Sequence, residues 1–151
     1  MLLLSACGGS GTGGSGDTVT YITAEADGDG NLVIDTSGTT EYATYINYKA
    51  DDVTIQLLLV RDGDGELHYA FNTCQVCSPS PKAYFVQDGS VFICQNCGNS
   101  FDAEEVGEAQ GGCNPANIAD LTEREDALVI PVQYLEQYSG SFAGWQGPTG
   151  L

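Results

Sequence analysis

With 21 acidic side chains against four basic ones, the 151-residue chain carries a formal charge of −17. The length fits one domain of ordinary size, and the charge excludes nucleic acid as a partner and an electrostatic hold on anionic lipid. No run approaches the ~20 apolar residues of a membrane-spanning helix.

The first sixteen residues, "MLLLSACGGSGTGGSG", are expected to stand apart from the domain, which takes in residues 17–151. An apolar run followed by Leu4-Ser5-Ala6-Cys7 resembles the lipobox of bacterial lipoproteins. That resemblance implies that Cys7 is lipidated and holds the protein on the extracytoplasmic face of the cell membrane. The Gly/Ser run after it reads as a flexible tether. The apolar start is shorter than a full secretory signal, which has a basic n-region and ~7–15 apolar residues, so the signal is expected to be trimmed.

From residue 17 the pattern is mostly strand. "TVTYITA" and "NLVID" are β-rich runs separated by the turn signal "DGDG". In "DVTIQLLLV" the alternation of Val53, Ile55, Leu57 and Leu59 predicts a strand with one well-buried face. "RDGDGE" turns the chain into "LHYAF", which leads to Cys74. Farther on, "AYFVQ" and "SVFIC" flank Asp88-Gly89, a pair that favours a two-residue type I′ hairpin. The chain closes with a strand "ALVIP", a short helix "VQYLEQY" and a Gly-rich tail. Neither "DGDG" segment is a calcium loop, because Leu32 and Leu67 stand at the sixth position where glycine is required. The expected fold is mainly β within the α+β class: a small β-rich domain with a cysteine-rich, zinc-ribbon-like metal-binding lobe and a short C-terminal helix.

The chemistry concentrates in "CQVCSPSPKAYFVQDGSVFICQNCG", Cys74 to Gly98. Each Cys-x-x-Cys turn presents two sulfurs on one side, and a hairpin between two such turns brings four donors together. Cys74, Cys77, Cys94 and Cys97 are therefore the candidate ligands. Zinc, a single iron and an iron–sulfur cluster all accept four thiolates. Two disulfides are the alternative in an oxidising compartment, although oxidised Cys-x-x-Cys pairs close very small loops. Cys113, in "GGCNP", is a fifth candidate: an auxiliary ligand, a redox-active thiol or a buried apolar residue. His68, the one histidine, reads as a surface or packing residue. No acid, base and nucleophile stand in an arrangement that points to a substrate, so no enzyme is expected.

The ordered set of Ala70-Phe71, Cys74/Cys77, Cys94/Cys97-Gly98 and Gly111-Gly112-Cys113 with Pro115 resembles the FtrD-like, membrane iron–sulfur-containing protein family. "LVIPVQYLE" is similar to that family's closing strand and helix, and the resemblance runs over roughly residues 41 to 138. It implies an iron–sulfur cluster or iron, with zinc as the alternative, and a role in membrane iron transport or electron transfer. A membrane iron permease or a redox partner is the implied associate. Many family members are attached to a multi-spanning membrane segment, which a lipid anchor on Cys7 would replace here. A second reading keeps the Cys-x-x-Cys pairs as a cycling thiol–disulfide system with Cys113 as resolving thiol. A third has the cysteines stapling a structural lipoprotein.

Overall fold

The computed structural model describes residues 18–151. The expected lipobox with Cys7 and the expected Gly/Ser tether lie outside the described residues.

The described residues fold as eleven strands and one short α-helix. The strands are β1 (Thr20–Ala24), β2 (Asn31–Asp35), β3 (Thr44–Ala50), β4 (Val53–Arg61), β5 (Leu67–Cys74), β6 (Phe85–Asp88), β7 (Val91–Cys94), β8 (Ser100–Asp102), β9 (Pro115–Ala116), β10 (Thr122–Arg124) and β11 (Ala127–Pro131). Helix α1 (Val132–Glu136) follows β11 directly. Three sheets result, with strand orders β1-β3-β4-β5-β9, β10-β11-β2 and β6-β7-β8. In the largest sheet β1 runs parallel to β3, and the remaining neighbours are antiparallel. The mainly β architecture with one short C-terminal helix agrees with the sequence expectation.

Strand β4 differs from its predicted one-sided burial, since every residue from Ile55 to Val60 is buried. It is the central strand of five and has a core on each face. Ile55, Leu57 and Leu59 point into a core closed by β2, β11 and α1, through Leu32, Ile34, Leu128, Ile130 and Leu135. Leu58 and Val60 point the other way, into a second core with Phe85, Phe92, Val106 and the thiols of Cys74, Cys94 and Cys113. Each fully buried large apolar side chain contributes ~1.5–3 kcal/mol. The cysteine lobe is thus packed on the main sheet by the same strand that organises the other core.

A row of amides crosses the sheet on the lobe's side. The Gln56 amide donates to Asn47 Oδ1 at 2.7 Å and to the Pro148 carbonyl at 2.8 Å. Asn72 Nδ2 donates to Gln56 Oε1 at 2.7 Å, and Asn72 Oδ1 accepts the Phe85 N–H at 2.8 Å. The Trp145 indole N–H donates to the Asn72 carbonyl at 3.1 Å. These bonds tie the C-terminal tail and the start of β6 to the strand that ends at Cys74.

The two "DGDG" segments are turns. Asp27 Oδ1 accepts the N–H groups of Asp29 and Asn31, and Asp62 Oδ1 accepts those of Asp64 and Glu66. His68 Nε2 lies 2.9 Å from the other Asp62 oxygen, which fastens the β4–β5 hairpin.

Candidate metal centre

Three chain segments deliver the thiols. The first is the turn at the end of β5. There the Cys77 and Val76 N–H groups donate to Cys74 Sγ at 3.0 and 3.4 Å, and the Ser78 N–H donates to the Cys74 carbonyl at 3.2 Å. The second leaves β7 at Cys94. Its Gly98 N–H donates to the Cys94 carbonyl at 2.9 Å, with Gly98 in the left-handed region at φ 78°. Only glycine adopts that region without a Cβ penalty, so the chain can wrap the sulfur there.

The hairpin between the two turns pairs Phe85 with Cys94 and Asp88 with Val91, which leaves Gly89 and Ser90 as its loop. The turn therefore falls one residue later than Asp88-Gly89. Gly89 has φ 62° and Ser90 does not share the positive φ. That is the type II′ pattern rather than the expected I′, with glycine at the first central position. The functional consequence is unchanged. The Gln95 N–H donates to the Tyr84 carbonyl at 2.9 Å, so the two ends of the hairpin meet.

The third segment, "GGCNP", reaches the lobe because Gly111 and Gly112 both take positive φ, at 80° and 74°. Gln75, inside the first Cys-x-x-Cys turn, clamps this loop. Its Oε1 accepts the Gly111 N–H at 3.2 Å, and its amide donates to the carbonyls of Ala109 at 3.2 Å and Pro115 at 3.1 Å. The Gln75 N–H donates to the Asn114 carbonyl at 2.8 Å. A Gln between two cysteines gives no sequence signal for this role, because its partners lie some 35 to 40 residues away.

The five thiols converge, and all are free. The sulfurs of Cys74, Cys77, Cys94 and Cys113 lie within 4.8 Å of one another. Cys113 Sγ is 3.2 Å from Cys74, 3.7 Å from Cys77 and 2.7 Å from Cys97. Cys113 thus touches both Cys-x-x-Cys turns. Cys97 is the exposed member, while Cys74, Cys94 and Cys113 are buried.

The donor set fits a soft cation. Four thiols on short turns, with backbone N–H groups aimed at a sulfur, are the chemistry that zinc, iron and iron–sulfur clusters require. Burial pushes the Cys113 thiol well up and the Cys77 thiol up to about 12. Cys97 goes the other way: its contact with the Cys113 sulfur, together with the Asn99 backbone, lowers its pKa. Among the described residues, no Lys, Arg or His bonds any of the five sulfurs, so a bound cation would supply the compensating charge.

A pH dependence follows. A thiol whose folded pKa is raised stabilises the metal-free fold below its unfolded value of 9.0 and loses that contribution as pH climbs toward about 12, as for Cys77. Protons also compete with metal for thiolate. The gap in Tm between metal-loaded and metal-free protein should therefore widen from pH 7 to pH 10. Calorimetry of both forms checks this, and a constant gap would remove the thiols as the cause.

Among the described residues no helix is long and apolar enough to cross a membrane. No curated protein and no solved structure matches the chain. Residues 39–142 match the family described as membrane iron–sulfur-containing protein, FtrD-like, a span that contains the main sheet from β3 to β9 and all five converging cysteines. On that match, which covers well over half of its length, the chain belongs to the FtrD-like membrane iron–sulfur family.

Proposed function

We propose that this protein carries a cysteine-ligated iron or iron–sulfur centre at the extracytoplasmic face of the membrane, and passes electrons in support of iron transport. The observation that carries the reading is the meeting of five free thiols from three chain segments in a member of a membrane iron–sulfur family. Cys74, Cys77, Cys94 and Cys113 would hold the group, with Cys97 at its solvent edge. When bound, iron supplies a reversible one-electron couple. The chain's own residues tune the site. The N–H groups of Val76 and Cys77 draw charge from Cys74 Sγ, and Phe85 and Phe92 keep water from the buried side. The exposed Cys97 edge offers the short route to a redox partner, and a lipid on Cys7 with its tether would keep that edge near a membrane iron permease.

The proposal is tested by anaerobic purification followed by elemental analysis and a visible spectrum. Stoichiometric iron with visible absorbance is the expected result. One zinc per chain and no colour would make the centre redox-silent and end the electron-transfer reading. The 2.7 Å approach of Cys97 to Cys113 favours one rival, a thiol pair that cycles through a disulfide. Non-reducing mass spectrometry separates the two, since that rival requires a loss of two hydrogens in metal-free protein.

A further inference from the structure

Four thiolates complete the coordination of zinc, of a single iron or of an iron–sulfur cluster. This chain brings five thiols to one place. The mutually close group is Cys74, Cys77, Cys94 and Cys113, and Cys97 stands outside it. The spare thiol is also the accessible one. Cys74, Cys94 and Cys113 are 0%, 1% and 9% exposed, Cys77 is half-buried, and Cys97 is open to solvent.

From Cys97 the sulfurs form a path inward. Its Sγ lies 2.7 Å from that of Cys113, which lies 3.2 Å from Cys74 Sγ and 3.7 Å from Cys77 Sγ. Two sulfurs on one tetrahedral ion stand roughly 3.8 Å apart, given metal–sulfur bonds of ~2.3 Å. Each neighbouring pair on the path is therefore close enough to share a cation. The second turn is closed around Cys94, whose N–H donates to the Asn99 carbonyl at 2.8 Å and whose carbonyl accepts the Gly98 N–H at 2.9 Å. Cys97 occupies the exposed corner of that turn, between the exposed Asn96 and Gly98.

The surroundings of Cys97 in the chain add a selectivity. Residues 89–101 include no Asp, Glu, Lys, Arg or His, although 17% of the chain is charged. A formal charge of −17 draws cations to the protein, yet this stretch supplies no carboxylate to hold them. The first strong donor on it is sulfur, which favours soft ions over hard ones.

We propose that Cys97 is an exchange thiol: it takes a soft divalent cation from an external carrier and returns it, with Cys113 as the relay to the buried sulfurs. The assignment rests on the four-sulfur ligand set proposed above. On entry a Cys97 sulfur–metal bond forms as one carrier–metal bond breaks, and the Cys97 proton passes to the released carrier group. Cys113 displaces the next carrier group in the same way, a step that is intramolecular once Cys97 is bound. Cys74, Cys77 and Cys94 follow, and the last of them displaces Cys97, whose sulfur receives the proton which that thiol gives up. No electron is transferred. Exit retraces the path.

The test is the rate at which the zinc-loaded full chain gives its metal to 4-(2-pyridylazo)resorcinol, followed by absorbance without oxygen. Cys97→Ser is expected to keep the parent's zinc content and to slow the transfer about ten-fold, because a hydroxyl replaces a thiolate at the exchange step. The direction separates the roles, since loss of a ligand weakens a site and speeds release. Iodoacetamide should also alkylate Cys97 in the loaded parent while the zinc stays bound, as peptide mapping and zinc analysis would show. The alkylated protein should then release zinc as slowly as Cys97→Ser. Transfer at the parent's rate by Cys97→Ser with its zinc content intact would overturn the exchange role and leave the ligand set standing. Faster transfer with lowered zinc content, or a loaded Cys97 that resists iodoacetamide, would make Cys97 a ligand and overturn both.

Discussion

Replacing Cys113 with serine is expected to strip the centre of its metal, while Cys97→Ser keeps more than half of it. Spacing alone assigns the opposite order, since Cys97 completes the two Cys-x-x-Cys pairs and Cys113 stands outside them. Geometry reverses the weights. Cys113 is buried and its sulfur touches those of Cys74, Cys77 and Cys97, whereas Cys97 is exposed and would meet a bound group from its rim. A ligand from a distant loop also closes the longest segment of chain, so its loss frees "GGCNP" as well as a coordination position. Where metal binding and folding are coupled, the binding free energy is folding free energy, on the order of 10–16 kcal/mol for small structural zinc sites. Here the five-stranded sheet has its own apolar core on the far face, so Cys113→Ser should unfold the lobe and spare the sheet. The expected readouts are an at least ten-fold fall in bound metal after dialysis, and a Tm that no longer responds to added metal. Metal content that survives Cys113→Ser and collapses in Cys97→Ser would return the ligand set to the two pairs.

The reason for that reversal shows what the sequence conveys and what it withholds. Cys-x-x-Cys turns, Gly98 after the second, and a hairpin between them are local, and local chemistry dictates them. The alternation in β4 is also local, but burial on its second face depends on what folds over it. The lobe covering that face is assembled from residues 83 to 113, so a one-sided strand was the natural expectation. The position of Cys113 depends on two consecutive left-handed glycines and on Gln75 gripping the loop from another segment. "GGC" announces a tight turn without saying where its sulfur ends up. The hairpin turn moved by one residue for a related reason. Ser90 leaves the ladder with Gly89, and a positive φ at the first loop position alone satisfies a II′ turn.

The Asn47–Gln56–Asn72 row is the other feature that sequence reading does not reveal, and it predicts the largest effect away from the thiols. Asn72→Ala should cost roughly 2–6 kcal/mol, because it orphans two buried groups at ~1–3 kcal/mol each. Those groups are Gln56 Oε1 and the Phe85 N–H, with Gln56 and Phe85 both fully buried. The damage is directional. Asn72 sits two residues before Cys74, and Phe85 opposes Cys94 across the hairpin, so one side chain sets the spacing of two turns that supply sulfurs. Urea unfolding of the metal-loaded protein measures the stability, and competition with a chelator measures the affinity. Both should fall. In a double-mutant cycle with Gln56→Ala the two losses should be strongly non-additive, since each substitution breaks the same 2.7 Å bond. Additive losses, or a destabilisation below about 1 kcal/mol with unchanged metal affinity, would mean that the hairpin is held by its apolar contacts alone. The amide row would then be satisfied polar packing with no part in placing the thiols.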